Sequence, residues 1–500
     1  MTAATRTAAI ESLEPKNVWE FFAGLAEVPR PSKKEVKIRA HIHEVAKRYG
    51  LRCRQEEVGN VIIDVPATPG RESAPVIVLQ GHLDMVPEKN SDTVHDFEND
   101  PIRLILDEDA KDGRRVVHAD GTTLGADNGM GVSLALAAAT ADNVAHGPLE
   151  LLFTTDEEAG MTGAKALVPD SFKGRRLINL DSEEDDCLYI GCAGGCDTNL
   201  TWRFDTAPRA KSDEVHRIVI EGLRGGHSGC DIHENRANAI KLLVRTLLRA
   251  SRADLRIGSF SGGSMRNAIP REARAVVAGS SGLGQVLQDA AKAIRDEAAA
   301  ESFEDNVAIR VEPAAAGDPE GFMDAATTTV LLSALAALPS GVIGMHPKIP
   351  TLVQTSNNLS TTTSKAEPGA LRVVAGTLSR SSSDSCLRTV TDQIAAIGRL
   401  SGAQVNYGNS YPGWEPNVDS PMLATCRRLY ESLFKTKPRV AAIHAGLECG
   451  IIGQRVGDMD MISFGPSITG AHSPDERVYV DSVEKTWNYL VAVLDELSKG

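Results

Sequence analysis

Four short apolar runs, each followed closely by ionisable side chains, constrain the fold of this chain more than any other feature. Ala74-Pro-Val-Ile-Val-Leu-Gln80 runs into Gly81-His82-Leu83-Asp84, and Leu149-Glu-Leu-Leu-Phe-Thr154 into Asp156-Glu157-Glu158. Arg176-Leu-Ile-Asn-Leu180 meets Asp181-Ser182-Glu183, and Met459-Asp-Met-Ile-Ser-Phe464 leads through Gly465-Pro466 to His472-Ser473-Pro474. Such runs read as buried strands. Between them lie helical stretches, including the small apolar segment Gly131 to Ala141 and another starting at Ala159. The alternation predicts an α/β fold with a largely parallel sheet covered on both faces. In such a sheet the carboxyl ends of the strands line one crevice, so these imidazoles and carboxylates are expected to converge.

A chain of 500 residues exceeds what one hydrophobic core usually organises. Residues 17 to 49 read as two helices around the turn-forming run Val28-Pro-Arg-Pro-Ser32. The middle of the chain changes character. Strands are expected at Val215–Glu221, Leu255–Ser261 and Glu272–Ala278, with helices at Asn238–Ser251 and Gly284–Ala300. A similar series resumes near Asn306, with a helix at Thr328–Ala337 and strands near Thr351–Thr355 and Ala370–Ser379, as two copies of one unit would produce. The expectation is one domain built from residues 1–206 and 400–500, interrupted by an α+β domain at 207–399, with boundaries good to about ten residues.

The net charge of −14 argues against a general nucleic-acid binder, which needs a basic face. The N-terminal stretch has no apolar core of signal-peptide length, and the longest apolar run, Val132 to Ala141, is about half a membrane span. A cytoplasmic, membrane-free protein is expected. Eight cysteines are too sparse for a disulfide scaffold, and Cys187, Cys192 and Cys196 match no paired C-x-x-C site, so free thiols are expected.

Imidazole and carboxylate together suit zinc or a similar divalent ion. His82 and Asp84 would share one side of a strand, letting Asp84 orient the imidazole. In Asp156-Glu157-Glu158, one carboxylate can bind metal while its neighbour takes a proton from an attacking water. Asp127 stands just before a helix and suits an N-cap, while the glycines around it suggest a tight turn near a ligand. His227, in Gly225-Gly-His-Ser-Gly229, can present an exposed imidazole; the spacing around Ser228 fails that of a serine nucleophile elbow. His41, His43 and His146 read as surface residues.

The strings GHLDMVP, DGTTLGADNG, TTDEEAGM, LINLDSEE, GGHSG, RNAIP, HAGLECG and ITGAHSPDE closely resemble the aminoacyl-histidine dipeptidases (peptidase D, Xaa-His dipeptidases). These are zinc exopeptidases with a dimetal catalytic domain and an inserted lid, and the resemblance spans residues 15 to 495. It implies that Asp127 bridges two zinc ions, with manganese or cobalt as alternative metals. His82 and Asp181 would complete one position, and Glu158 and His472 the other. Glu157 would be the general base and Asp84 the partner of His82. The resemblance further implies that His227 and Asn267 contact the substrate carbonyl oxygen and that Arg380 binds the substrate carboxylate. Glu448, in HAGLECG, would lie near the metals against a substrate amine. Dipeptides including β-Ala-His, a homodimer, and a lid that moves on binding are the accompanying expectations. The rivals are an N-acyl amino acid deacylase on the same scaffold and a non-catalytic metal-binding scaffold protein.

Overall fold

A computed structural model describes residues 10, 12–251, 254–302, 304, 306–315 and 317–499. The chain divides into two compact units. One takes the residues up to Gly191 together with Pro416–Ala442 and Leu447–Gly500; the other takes Cys192–Glu415 and Ile443–Gly446.

The first unit is built on an eight-stranded sheet. In chain order its strands are β1 (Arg52–Gln55), β2 (Val61–Val65), β3 (Ile77–His82), β4 (Leu149–Thr154), β5 (Arg176–Asn179), β6 (Cys187–Cys192), β7 (Arg439–Ile443) and β8 (Asp460–Ser463). Their order across the sheet is β1-β2-β4-β3-β5-β8-β6-β7. The central four, β4, β3, β5 and β8, are mutually parallel, while β1 and β2 pair antiparallel at one side and β6 antiparallel to β8. β3 and β4 are buried along their whole length, which explains their unbroken apolar character. Each fully buried Val, Leu or Ile contributes roughly 1.5–3 kcal/mol. The helices used below are α1 (Lys16–Ala26), α2 (Val36–Arg48), α3 (Ala126–Thr140), α4 (Glu157–Gly160), α5 (Thr162–Ala166), α6 (Glu448–Val456) and α7 (Val480–Leu497). α3 is almost entirely buried and packs on β3 and α1. Its small residues allow that approach: a Cβ on Gly131 would meet the Leu180 carbonyl oxygen at 2.2 Å.

Among its described residues the second unit has an antiparallel sheet of nine strands and four long helices. Helix Ala239–Arg249 starts where the Asn238 side chain accepts from the backbone N–H groups of Ile240 and Lys241. Its apolar face enters a core containing Trp202, Leu243, Phe260, Leu335 and Val373. No helix among the described residues is long and apolar enough to cross a membrane.

Two expectations fail locally. The segment after Glu158 forms two short helices, α4 and α5, separated by Met161 at φ 51°, in place of one continuous helix. His146 is buried (4% exposed) rather than on the surface, and its Nδ1 lies 2.7 Å from the Gly147 carbonyl oxygen. None of the eight cysteines, all among the described residues, forms a disulfide.

Candidate metal centre and substrate-binding residues

The strand ends of the first unit bring five side chains together. His82 Nε2 lies 3.0 Å from Asp127 Oδ1 and 3.5 Å from Asp181 Oδ1. His472 Nε2 lies 3.2 Å from Asp127 Oδ2 and 3.0 Å from Glu158 Oε2. Two groups, His82/Asp127/Asp181 and Asp127/Glu158/His472, thus share Asp127, and the atoms within each lie within 4.8 Å of one another. Each Asp127 oxygen faces a different histidine. Its carboxylate therefore does not cap the helix: the N-cap position is Gly125, without a side-chain cap, and Asp127 itself is non-helical (φ −80°, ψ 109°).

These residues fit a pair of divalent cations. Asp181 Oδ1 and Glu158 Oε1 are buried without a hydrogen-bond partner, which is costly unless a ligand completes them. The donor set of two imidazoles and three carboxylates is the nitrogen-and-oxygen mixture such ions prefer. The surrounding electrostatics agree. Burial drives Glu157 well above the ordinary carboxylate range, with Asp181, Glu448 and Glu158 adding like charge. Burial also lifts Asp181 to about 6 and Glu183 to about 8. Hydrogen bonds to Asp127 and Glu158 raise His472 to about 11. Burial opposes a charged His82, but Asp181, Asp127 and Asp84 outweigh it and raise its proton affinity well above the usual value. The centre carries more carboxylate than it can hold without taking up positive charge.

Asp84 does more than face His82. Its Oδ1 is 3.3 Å from His82 Nδ1 and accepts from the Glu157 N–H at 3.0 Å. Oδ2 accepts from the Glu158 N–H at 3.2 Å and from the Ser32 hydroxyl at 2.8 Å. One wholly buried carboxylate thus orients an imidazole and holds the turn bearing Glu157 and Glu158. Burial works against its charge, yet these donors keep it at about 2.

Three further supports were not singled out from the sequence. Glu476 accepts from the backbone N–H groups of Leu124 (2.7 Å), Gly125 (2.9 Å) and Asp127 (3.1 Å), clamping the loop that carries Asp127. The buried Arg30 donates to the carbonyls of Leu83, Asp84 and Gly125. Asn128 donates to the Leu180 carbonyl at 2.6 Å and accepts from the His82 N–H at 3.3 Å, tying the His82 and Asp181 segments together. A Cβ on Gly81 would sit 2.2 Å from the Asn128 side-chain oxygen, so Gly81 is what admits Asn128.

Glu448 opens α6 and is fully buried; its Oε2 accepts from Gln80 (2.6 Å) and Thr154 (2.5 Å). Burial pushes it to about 8.

The other candidates belong to the second unit. His227 and Asn267 are neighbours there, since Gly226–His227 pairs with Ala268–Ile269. The Gly229 and Cys230 N–H groups both donate to His227 Nδ1, at 3.2 and 3.0 Å. That fixes the neutral ring with its proton on Nε2, a ready donor to an oxygen. Burial and Arg380 lower its basicity. Arg380 is buried, donates from Nη1 to the Tyr411 hydroxyl at 2.9 Å, and leaves Nε unpaired. A buried guanidinium with an orphaned donor suits a planar anion.

Comparison with known proteins places these features in a family context. The model of peptidase family M20/M25/M40 matches residues 78–496. The chain is 40% identical to the cytosol non-specific dipeptidase of Escherichia coli (strain K12) over 493 residues, covering 98% of this chain and 99% of that protein. The crystal structure of aminoacylhistidine dipeptidase from Vibrio alginolyticus superposes with a TM-score of 0.88 at 40% identity, over 97% of this chain and 98% of that one. A tripeptidase from Staphylococcus aureus shares the fold at a TM-score of 0.62 and 13% identity, over 98% and 100% of the two chains.

Proposed function

Because the chain belongs to peptidase family M20/M25/M40, we propose that it is a metal-dependent dipeptidase acting on Xaa-His dipeptides, β-Ala-His included. The observation that carries this reading is the pair of ligand groups sharing Asp127, with Glu157 held beside them by Asp84. His82, Asp127 and Asp181 would hold one ion, and Asp127, Glu158 and His472 the other. Two divalent ions, when bound, lower the pKa of water and polarise the peptide carbonyl.

The chain's own groups do the rest. Glu157 takes the proton of the attacking water while its oxygen bonds to the carbonyl carbon. As the C–N bond breaks, Glu157 returns the proton to the leaving amine, and two amino acids result. His227 Nε2–H and Asn267 bind the carbonyl oxygen, and Arg380 the terminal carboxylate. Zinc as the native ion, a homodimer as the assembled state, and the cytoplasm as location belong to the same reading. The name of the Escherichia coli relative supports the last.

The test is a substrate panel on metal-stripped protein with zinc, manganese or cobalt added back. Hydrolysis of Ala-His and β-Ala-His, restored by metal, is expected. Preference for N-acetyl amino acids would replace this reading with a deacylase, and an absence of metal-dependent turnover would overturn it.

A further inference from the structure

Beneath the ligands runs a layer of polar side chains that a buried parallel sheet has no packing reason to contain. Gln80 lies two residues before His82, and Asn179 two before Asp181, so each shares a strand face with a ligand. Thr154 stands opposite His82 in the register, and Ser463 opposite Asn179. Gln80, Asn179, Thr154, Ser463 and Glu448 are all 0% exposed. Apolar residues would fill these positions without the cost of burying amides and hydroxyls.

Their hydrogen bonds form one chain with one direction. Ser463 Oγ donates to Asn179 Oδ1 at 2.5 Å, Asn179 Nδ2 to Gln80 Oε1 at 2.5 Å, and Gln80 Nε2 to Glu448 Oε2 at 2.6 Å. Ser463 has spent its single proton, so the contact between Ser182 and Ser463 must be a donation from Ser182. Thr154 adds a second donor to Glu448 Oε2 at 2.5 Å. Every donor points toward Glu448, and an accepting oxygen at that end holds both amides in this orientation. The chain crosses β4, β3, β5 and β8 just below the ends from which Glu157, Glu158, His82 and Asp181 project.

We propose that Glu448 is a positioning residue: as terminal acceptor of this one-way chain, it fixes the lateral placement of the strand ends bearing the metal ligands and the general base. The inference rests on the ligand reading above. The sequence expectation set Glu448 against a substrate amine. Its complete burial and the commitment of Oε2 to Gln80 and Thr154 tie it to its neighbours, while Oε1 is buried without a partner. Misplacing reacting groups by about 1 Å costs on the order of 100-fold in rate, so the chain need only drift slightly to matter.

The test uses metal-loaded, full-length enzyme. Glu448→Met keeps a similar volume but offers neither donor an acceptor. It is expected to lower kcat at least ~10-fold while KM changes less than about twofold, a fraction of the misplacement cost. Glu448→Gln is the conservative rescue: its amide oxygen can take the place of Oε2 before Gln80 and Thr154, with its NH2 where Oε1 has no partner, and it should recover most of that kcat. Asn179→Asp, which reverses the Gln80 amide, should reproduce the kcat loss and provides the test if Glu448→Met does not fold. A rise in KM at unchanged kcat in Glu448→Gln would overturn the proposal in favour of substrate contact. Wild-type kinetics in Glu448→Met, or failure of Glu448→Gln to restore kcat, would overturn it outright. Failure of the underlying ligand reading shows separately, as wild-type enzyme carrying fewer than two ions per chain.

Discussion

Replacing Asp84 by Asn isolates what one buried carboxylate does for the metal centre. The shapes match, so packing is preserved and only the hydrogen-bond chemistry changes. Asp84 presents two acceptors to four partners: Oδ1 to the Glu157 N–H and His82 Nδ1, Oδ2 to the Glu158 N–H and the Ser32 hydroxyl. The single oxygen of the replacement amide can serve only one pair. With its NH2 on the Oδ2 side, the Ser32 hydroxyl can turn to accept, but the Glu158 N–H is left facing a donor. With the NH2 on the Oδ1 side, it meets the Glu157 N–H and the His82 imidazole. Either way at least one part-buried N–H goes unpaired, at about 1–3 kcal/mol. Loss of such an outer partner typically weakens metal binding about 10- to 100-fold, equivalent to about 1.4–2.8 kcal/mol, so the two scales agree. The assay is competition for zinc between purified protein and a chromogenic chelator at about pH 7.5, where an unperturbed imidazole is neutral, with circular dichroism to verify the fold. A zinc affinity within about twofold of wild type, in a folded Asp84→Asn protein, would refute the argument that Asp84 organises the ligands.

Four other outcomes follow from the same geometry. Glu157→Gln should keep two ions per chain by elemental analysis yet lose at least ~100-fold in kcat, the lower end for general-base catalysis; an active variant removes Glu157 from that role. His472→Ala or Asp181→Ala should instead lower metal content, and full occupancy would strike either residue from the ligand set. Arg380→Ala should raise KM for dipeptides about 10- to 100-fold, the value of a charged hydrogen bond, and leave metal content unchanged; an unaltered KM would contradict carboxylate binding. His444→Gln tests pH dependence. Burial, with Arg380 nearby, holds His444 at about 3 in the folded state, against 6.5 when unfolded. Above pH 6.5 this difference costs nothing. As pH falls from there toward 3, the unfolded chain takes up a proton that the native chain refuses, and stability drops by about 1.4 kcal/mol per unit. Urea unfolding of metal-free protein between about pH 6 and 4, inside that window, should show a shallower loss in His444→Gln than in wild type, and equal slopes would refute the assignment.

The convergence of His82, Glu158, Asp181 and His472 could be read from the sequence because parallel strands deliver their carboxyl ends to one place. That rule needs only the location of four apolar runs. The choice between a helix cap and a ligand environment for Asp127 could not be read, because both require a short acid before a helix. The structure separates them through the two histidines that flank its carboxylate. Arg30 sits in a Pro-Arg-Pro-Ser run whose only local signal is a turn, and its carbonyl partners lie 53 to 95 residues away. Glu476 looks like any loop acid, because what it does depends on three backbone N–H groups about 350 residues upstream. Gln80 and Asn179 interrupt otherwise apolar strands, and that anomaly was the available clue to the buried chain. His146 failed in the other direction: a polar type in a loop reads as exposed, but its ring packs inward beside Gly147.

The discontinuity of the first unit's sheet also has a consequence in time. β8 lies between β5 and β6 in space but near the end of the chain, and Ser463, His472 and Glu476 come with it or after it. During synthesis about 290 residues separate Asp181 from His472, roughly 15 to 60 s at ordinary elongation rates. Throughout that interval β5 has no partner on its β8 side, Asn179 no hydroxyl to accept from, and the Asp127 loop no clamp. The sheet, the buried polar chain and the clamp on the Asp127 loop can therefore be completed only once residues 460 to 476 have been made.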